Sequence, residues 1–137
     1  MDELEQFDQL KTKVLKYILY KKRTEREIKQ KFSEYNDELL TGVIEELKEN
    51  KYIDDSNYIE KQVNEFLKLK TLSVKEIKYK LLQKGLDNRL IEDYVEQNRD
   101  LLEEYEQNCI EKITSKKASN MGEDQLKAYL TRRGFMV

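Results

Sequence analysis

Thr24-Glu25-Arg26-Glu27-Ile28-Lys29, Ser73-Val74-Lys75-Glu76-Ile77-Lys78 and Gly122-Glu123-Asp124-Gln125-Leu126-Lys127 are three versions of one helix opening, each 49 residues after the last. In the first two a hydroxyl can accept from the N3 amide while the N3 Glu reaches back to the cap amide, which is the capping box. The third keeps the plan with Gly at the cap and Gln at N3, a weaker pairing. Further along the same interval fall Phe32, Leu81 and Leu130, then Gly85 and Gly134. A fixed period of this size marks a tandem repeat.

Working outward from these openings, each repeat reads as three helices. Leu4, Phe7, Leu10, Val14 and Tyr17/Ile18 form an apolar stripe at helical spacing, and Leu39, Leu40, Val43, Ile44 and Leu47 form another. Between them the helix opening at Thr24 is expected to run to Tyr35-Asn36. The second repeat places Tyr58, Ile59, Phe66 and Leu67 on a long helix. Ile77, Leu81 and Leu82 fall on the next, and Leu90, Ile91, Tyr94 and Val95 on the last. Gly85 and Gly134 suit the left-handed position after a helix. The first repeat lacks this glycine and needs a different turn. The reading is therefore all-α: an elongated tandem array of three-helix, helix-turn-helix-like units at 1–50 and 51–99, with a partial third at 100–137. Its third helix would begin where the chain reaches Val137, so Phe135 is expected to lack part of its packing surface.

Composition fits this plan. Hydrophobic residues make up 38% and charged ones 39%, which favours a stack of small cores over one large one. Absent proline and only four glycines oppose a turn-rich β fold, and nine tyrosines oppose disorder. No apolar run reaches 18 residues and no leader is visible, so neither a membrane span nor export is expected. Histidine is absent, which excludes His-containing zinc sites and Ser-His-Asp or Cys-His catalysis. The lone Cys109 reads as a small core residue in a protein of the reducing cytosol. Neither a metal nor a cofactor is called for, and the chain is expected to be a monomer.

The net charge is only −2, but its distribution is uneven. Lys11 to Lys31 holds nine basic residues against Glu25 and Glu27; Phe66 to Lys84 holds six against Glu76; Lys112 to Arg133 holds six against Glu123 and Asp124. The third helices are acidic, with a net −4 over Asp37–Glu49 and −6 over Asp87–Glu106. The basic residues recur on the end of the first helix and along the second. They are Lys21, Lys22, Arg23, Arg26 and Lys29; Lys68, Lys70, Lys75, Lys78 and Lys84; Lys127, Arg132 and Arg133. Such a stripe can contact phosphates or an acidic protein surface; it can equally be a solvated face whose charges pair at i±4. Tyr17, Tyr20 and Tyr79 lie among these charges, where an aromatic ring can stack on a base, although Tyr17 also suits the core. Asp54-Asp55 at the next helix start is best read as a cap and first-turn acid complementing the dipole, with Tyr52 and Ile53 as a hydrophobic staple.

Lys51-Tyr52-Ile53-Asp54-Asp55-Ser56-Asn57-Tyr58, Glu76-Ile77-Lys78-Tyr79-Lys80-Leu81 with Lys84-Gly85-Leu86, and Ala128-Tyr129-Leu130-Thr131-Arg132-Arg133-Gly134-Phe135 together resemble the RecX family, regulatory proteins of the RecA recombinase. The resemblance spans roughly Lys13 to Phe135, with the motifs in order. Lys51 stands where the family usually has Gly, and Ile59 where it favours Ala. The resemblance implies a non-catalytic protein lying in the groove of the RecA–DNA filament and restraining strand exchange, ATP turnover and cleavage of the SOS repressor. Its partners would be the filament, with contact to DNA inside it or weak binding to free DNA. The competing reading is a helix-turn-helix transcription regulator, whose third helix should carry basic or amide groups to bases. Here Glu45, Glu46, Glu49, Asp93 and Glu96 occupy those helices.

Overall fold

Most helices of this chain begin where a cap side chain supplies an acceptor for orphan amides, as the computed structural model of residues 2–137 shows; Asn98 and Gly122, the last two caps, make no such bond. In order they are α1 (Glu3–Tyr20), α2 (Glu25–Lys31), α3 (Asp37–Glu49), α4 (Asp55–Leu69), α5 (Val74–Gln83), α6 (Asn88–Gln97), α7 (Arg99–Lys117) and α8 (Glu123–Arg132). No strand occurs among the described residues, and the architecture is all-α, in tandem three-helix order. Thr24 Oγ1 accepts from Glu27 N at 3.1 Å while Glu27 Oε1 accepts from Thr24 N at 3.0 Å. Ser73 and Glu76 repeat this at 3.1 and 2.9 Å. At the third opening only the Gln125 half survives, accepting from Gly122 N at 3.2 Å, because glycine has no oxygen to offer.

Two compact units are present, Met1–Tyr58 with Lys84–Leu86, and Ile59–Gln83 with Asp87–Val137. In the first, α1 packs on α3, and Leu10, Val14 and Ile18 close a core with Ile28, Phe32, Leu40, Val43, Ile44 and Leu47. The periodic stripes supply nearly all of it, except that Leu4 is 70% exposed, one turn beyond the region α3 covers. In the second, α5 packs on α6, α6 on α7 and α7 on α8. Its buried side chains include Ile59, Val63, Ile77, Leu81, Ile91, Leu102, Cys109, Ile113, Leu130 and Phe135. Leu82 sits on the outer side of α5, 40% exposed.

Three further expectations need correction. Helix α2 ends at Lys31, not near Tyr35-Asn36: Phe32 caps it, Tyr35 N closes a turn onto Phe32 O, and Asn36 serves the next helix by accepting from Leu39 N at 3.0 Å. Of the staple pair, Ile53 is buried but Tyr52 is 54% exposed. Phe135 is 4% exposed and so keeps its packing surface. It follows a Schellman turn in which Phe135 N donates to Leu130 O and Gly134 N to Thr131 O, both at 3.0 Å, with Gly134 at φ +92°. The same turn ends α3 through Tyr52 N to Leu47 O and Lys51 N to Lys48 O, yet with Lys51 in the left-handed position at φ +64°.

Candidate nucleic-acid interface

The cap hydroxyls have a second task that fixes the basic surface. Thr24 Oγ1 donates to Lys84 O at 3.2 Å in the first unit, and Ser73 Oγ donates to Arg133 O at 2.7 Å in the second. Each hydroxyl thus accepts from its own helix and donates to the carbonyl just before a left-handed glycine, 60 residues on. The glycines press on side chains of the basic stripe. A Cβ on Gly85 would meet Arg26 Cδ at 2.0 Å, and one on Gly134 would meet Lys75 Cβ at 2.9 Å. A carboxylate completes each joint: Asp55 accepts from Glu25 N at 3.2 Å, and Glu106 from Val74 N at 3.0 Å. Asp55 therefore caps α2 besides lying in the first turn of α4. Burial raises its carboxyl pKa, partly opposed by the Glu25 amide.

In the second unit this joint holds Arg133 in a network. Its guanidinium donates to Glu76 Oε1 at 2.9 Å and Oε2 at 3.4 Å, to Thr71 O, and to Tyr129 Oη at 3.4 Å. Partial burial would raise the Glu76 carboxyl, but the bonds from Arg133 and from the Ser73 amide outweigh it and hold Glu76 below the usual carboxylate range. Arg133 is thereby neutralised. Around it a cleft of about 470 Å³ is lined by Leu72, Lys75, Glu76, Tyr79, Lys80, Gln83, Arg132 and Arg133. Lys75, Tyr79 and Gln83 stand one turn apart on a single row of α5. Tyr79 is 62% exposed. Lys75, Lys80 and Arg132 are exposed and form no ion pair among the described residues.

The other sequence-predicted residues divide into engaged and open ones. Lys29 pairs with Glu25 at 3.5 Å, Lys78 with Glu92 at 2.7 Å and Lys68 with Glu65 at 3.3 Å. Lys22 Nζ donates to Asn57 Oδ1 at 2.8 Å. Arg23 lies 4.2 Å over the Tyr17 ring, which itself packs edge-on against Phe32, and Arg23 Nε is buried without a hydrogen-bond partner. Lys21, Arg26, Lys70, Lys84 and Lys127 are exposed. Lys22, Arg23 and Lys51 also line a separate cavity of about 420 Å³ with Tyr52, Asp54 and Asn57. Lys80 and Lys51 escaped the sequence reading. Lys80 lies four residues after Glu76, a spacing that suggests an ion pair, but Arg133 takes Glu76 and leaves Lys80 open; the role of Lys51 depends on a turn. Among the described residues no group of three or more Cys or acidic side chains could hold a metal ion, and no helix is long and apolar enough to cross a membrane.

Fold and surface define the class: an all-α tandem-repeat protein carrying cationic, tyrosine-bearing clefts. The chain is 33% identical over 134 residues to regulatory protein RecX of Streptococcus mutans, covering 95% of this chain and 52% of that protein. The RecX of Clostridium acetobutylicum is 31% identical over 140 residues, covering 91% of this chain and 62% of the relative. The crystal structure of RecX from Lactobacillus salivarius superposes with a TM-score of 0.79 at 23% identity, covering 97% of this chain and 90% of that one, a likeness of fold. No protein-family model matches the chain. The chain belongs to the RecX family, and it spans about half the length of the S. mutans relative.

Proposed function

We propose that this chain is a non-catalytic regulator that binds the RecA–DNA filament and so modulates recombination, DNA repair and the SOS response. The observation that carries this reading is the cationic second-helix surface: Lys75, Lys80 and Arg132 stand without carboxylate partners beside an exposed tyrosine. The regulatory name borne by its relatives agrees with it. The α3 and α6 helices, which a helix-turn-helix regulator would insert into a groove, carry Glu45, Glu49, Asp93 and Glu96 and oppose that alternative. We further propose a cytosolic monomer of three-helix units at 1–50, 51–99 and 100–137, whose repeated weak contacts add through effective concentration.

The test is binding to a RecA–single-stranded DNA–ATP filament against bare DNA at two salt concentrations. The expected result is tight filament binding with weaker, salt-steep binding to DNA alone. Charge reversal of Lys75, Lys80 and Arg132 together should weaken filament binding far more than reversal of the carboxylate-paired Lys29, Lys68 and Lys78. Tight sequence-selective binding to duplex DNA with no gain from the recombinase would overturn the reading in favour of a transcription regulator.

A further inference from the structure

We propose that the α5–α8 cleft seats one base of single-stranded DNA on the Tyr79 ring, with flanking phosphates on Lys75, Lys80 and Arg132. This deepens the filament reading, and rests on it for the choice of DNA as the nucleic acid.

The cleft, at about 470 Å³, falls within the size range of small-ligand sites. Its chemistry is divided as a nucleotide requires. Tyr79 offers a π-face at 62% exposure, two residues from both Ile77 and Leu81 and so on the side of α5 away from its buried face. Cations flank it on both sides of the cleft: Lys75 one turn before Tyr79, Lys80 directly after it, and Arg132 from the last turn of α8. Glu76 is the only carboxylate in the lining, and Arg133 occupies it. The remaining three cations therefore face the cleft with no internal counter-ion. A solvated face of paired charges needs no such imbalance, and Lys29, Lys68 and Lys78, each paired, show what that alternative looks like in this same chain. Stacking is tolerant of base identity because every base has a π-face, so sequence preference should be slight.

Two contacts set the backbone that carries these groups. Ser73 anchors α5 to the end of α8 at 2.7 Å, and the Arg133–Glu76 pair braces the cleft floor. The cleft is preformed and pays little ordering entropy when a strand enters.

Fluorescence anisotropy with a labelled 15-mer of thymidylate, an abasic 15-mer of the same backbone, and a duplex separates base seating from charge alone. Tyr79→Ala should weaken thymidylate binding about five- to 150-fold while leaving the abasic strand unchanged. Tyr79→Phe should restore wild-type binding, since the ring and not the hydroxyl is used. Lys75→Gln with Lys80→Gln should weaken both strands and flatten the salt dependence by roughly one to two log units per log unit of salt. Equal loss on both strands in Tyr79→Ala, or no loss on either, overturns the base seat. An unchanged salt slope in the double glutamine variant overturns the phosphate contacts, and tighter binding of a uridylate 15-mer overturns the choice of DNA. Filament binding by the wild type is read separately. A chain that holds thymidylate through Tyr79 but ignores the filament sinks the regulator reading alone. A chain that holds the filament while Tyr79→Ala leaves thymidylate binding intact sinks this inference alone.

Discussion

At the scale of single residues, two hydroxyls have more consequence than any charge. Ser73 is fully buried, accepts from Glu76 N and donates to Arg133 O. Its replacement by Ala removes a cap and strands a carbonyl, so Ser73→Ala should cost about 2–3 kcal/mol in urea denaturation. Thr24→Ala should cost less, because its outward bond is 3.2 Å rather than 2.7 Å. Backbone conformation offers a test of opposite sign. Lys51 holds φ +64° where the matching turn after α8 has glycine. Lys51→Gly should raise stability by about 1 kcal/mol, and Gly134→Ala should lower it by at least that much, since its new Cβ would also meet Lys75 at 2.9 Å. Glu76 gives a pH signature. Its folded pKa lies below the ordinary 4.5, so the stability it contributes is complete above pH 4.5 and lost as pH falls through the lower folded value. Glu76→Gln should therefore be less stable than wild type at pH 7, by a margin that shrinks as pH is taken below 4.5.

At the scale of elements, the capping signals located helix starts better than the apolar stripes located helix ends. Thr24, Ser73 and Gly122 each stand just before the first helical residue. The end of α2 was not legible because Ser33 to Asn36 carries no glycine or proline, and Asn36 as a cap for α3 becomes visible only with its bond to Leu39 N. Helix α8 retains half a capping box, and a Cβ at Gly122 would meet nothing within 4 Å at an ordinary φ of −69°. Gly122→Ser should therefore stabilise α8 by a few tenths of a kcal/mol, seen as slower amide exchange in its first turn. A loss of stability there would mean that the third opening does not share the geometry of the other two.

At the scale of the whole molecule, a net charge of −2 conceals a surface on which cations and carboxylates are sorted by helix. The sorting itself was legible from the repeat, but its effective strength was not. The sequence left open whether Lys29, Lys68 and Lys78 were free or paired; in the fold all three are paired, two of them with i±3 or i±4 neighbours and Lys78 with Glu92 of another helix. Lys80 and Tyr79, conversely, acquire a role only when α8 brings Arg132 and Arg133 across from α5. Exposed pairs of this kind are worth about 0–1 kcal/mol, so losing them should leave folding almost unchanged. Lys75, Lys80 and Arg132 are exposed and hold no ion pair among the described residues, so reversing the three together should keep the denaturation midpoint within a small shift of wild type while abolishing most filament binding.

What the sequence by itself determined is local: helix starts, the all-α class and the left-handed glycines, recurring at a 49-residue period. Each depends on groups within four or five residues of one another, and such groups meet whatever the rest of the chain does. What only the tertiary structure decided is which ends meet. The bonds from Thr24 to Lys84 and from Ser73 to Arg133 close loops of 60 residues, and no local pattern encodes a partner at that distance. The same long-range closure decides that Lys78 pairs with Glu92, that Arg132 lies across the cleft from Tyr79, and that Phe135 is buried. Burial and pairing are properties of surfaces brought together, so they exist only once the helices have packed.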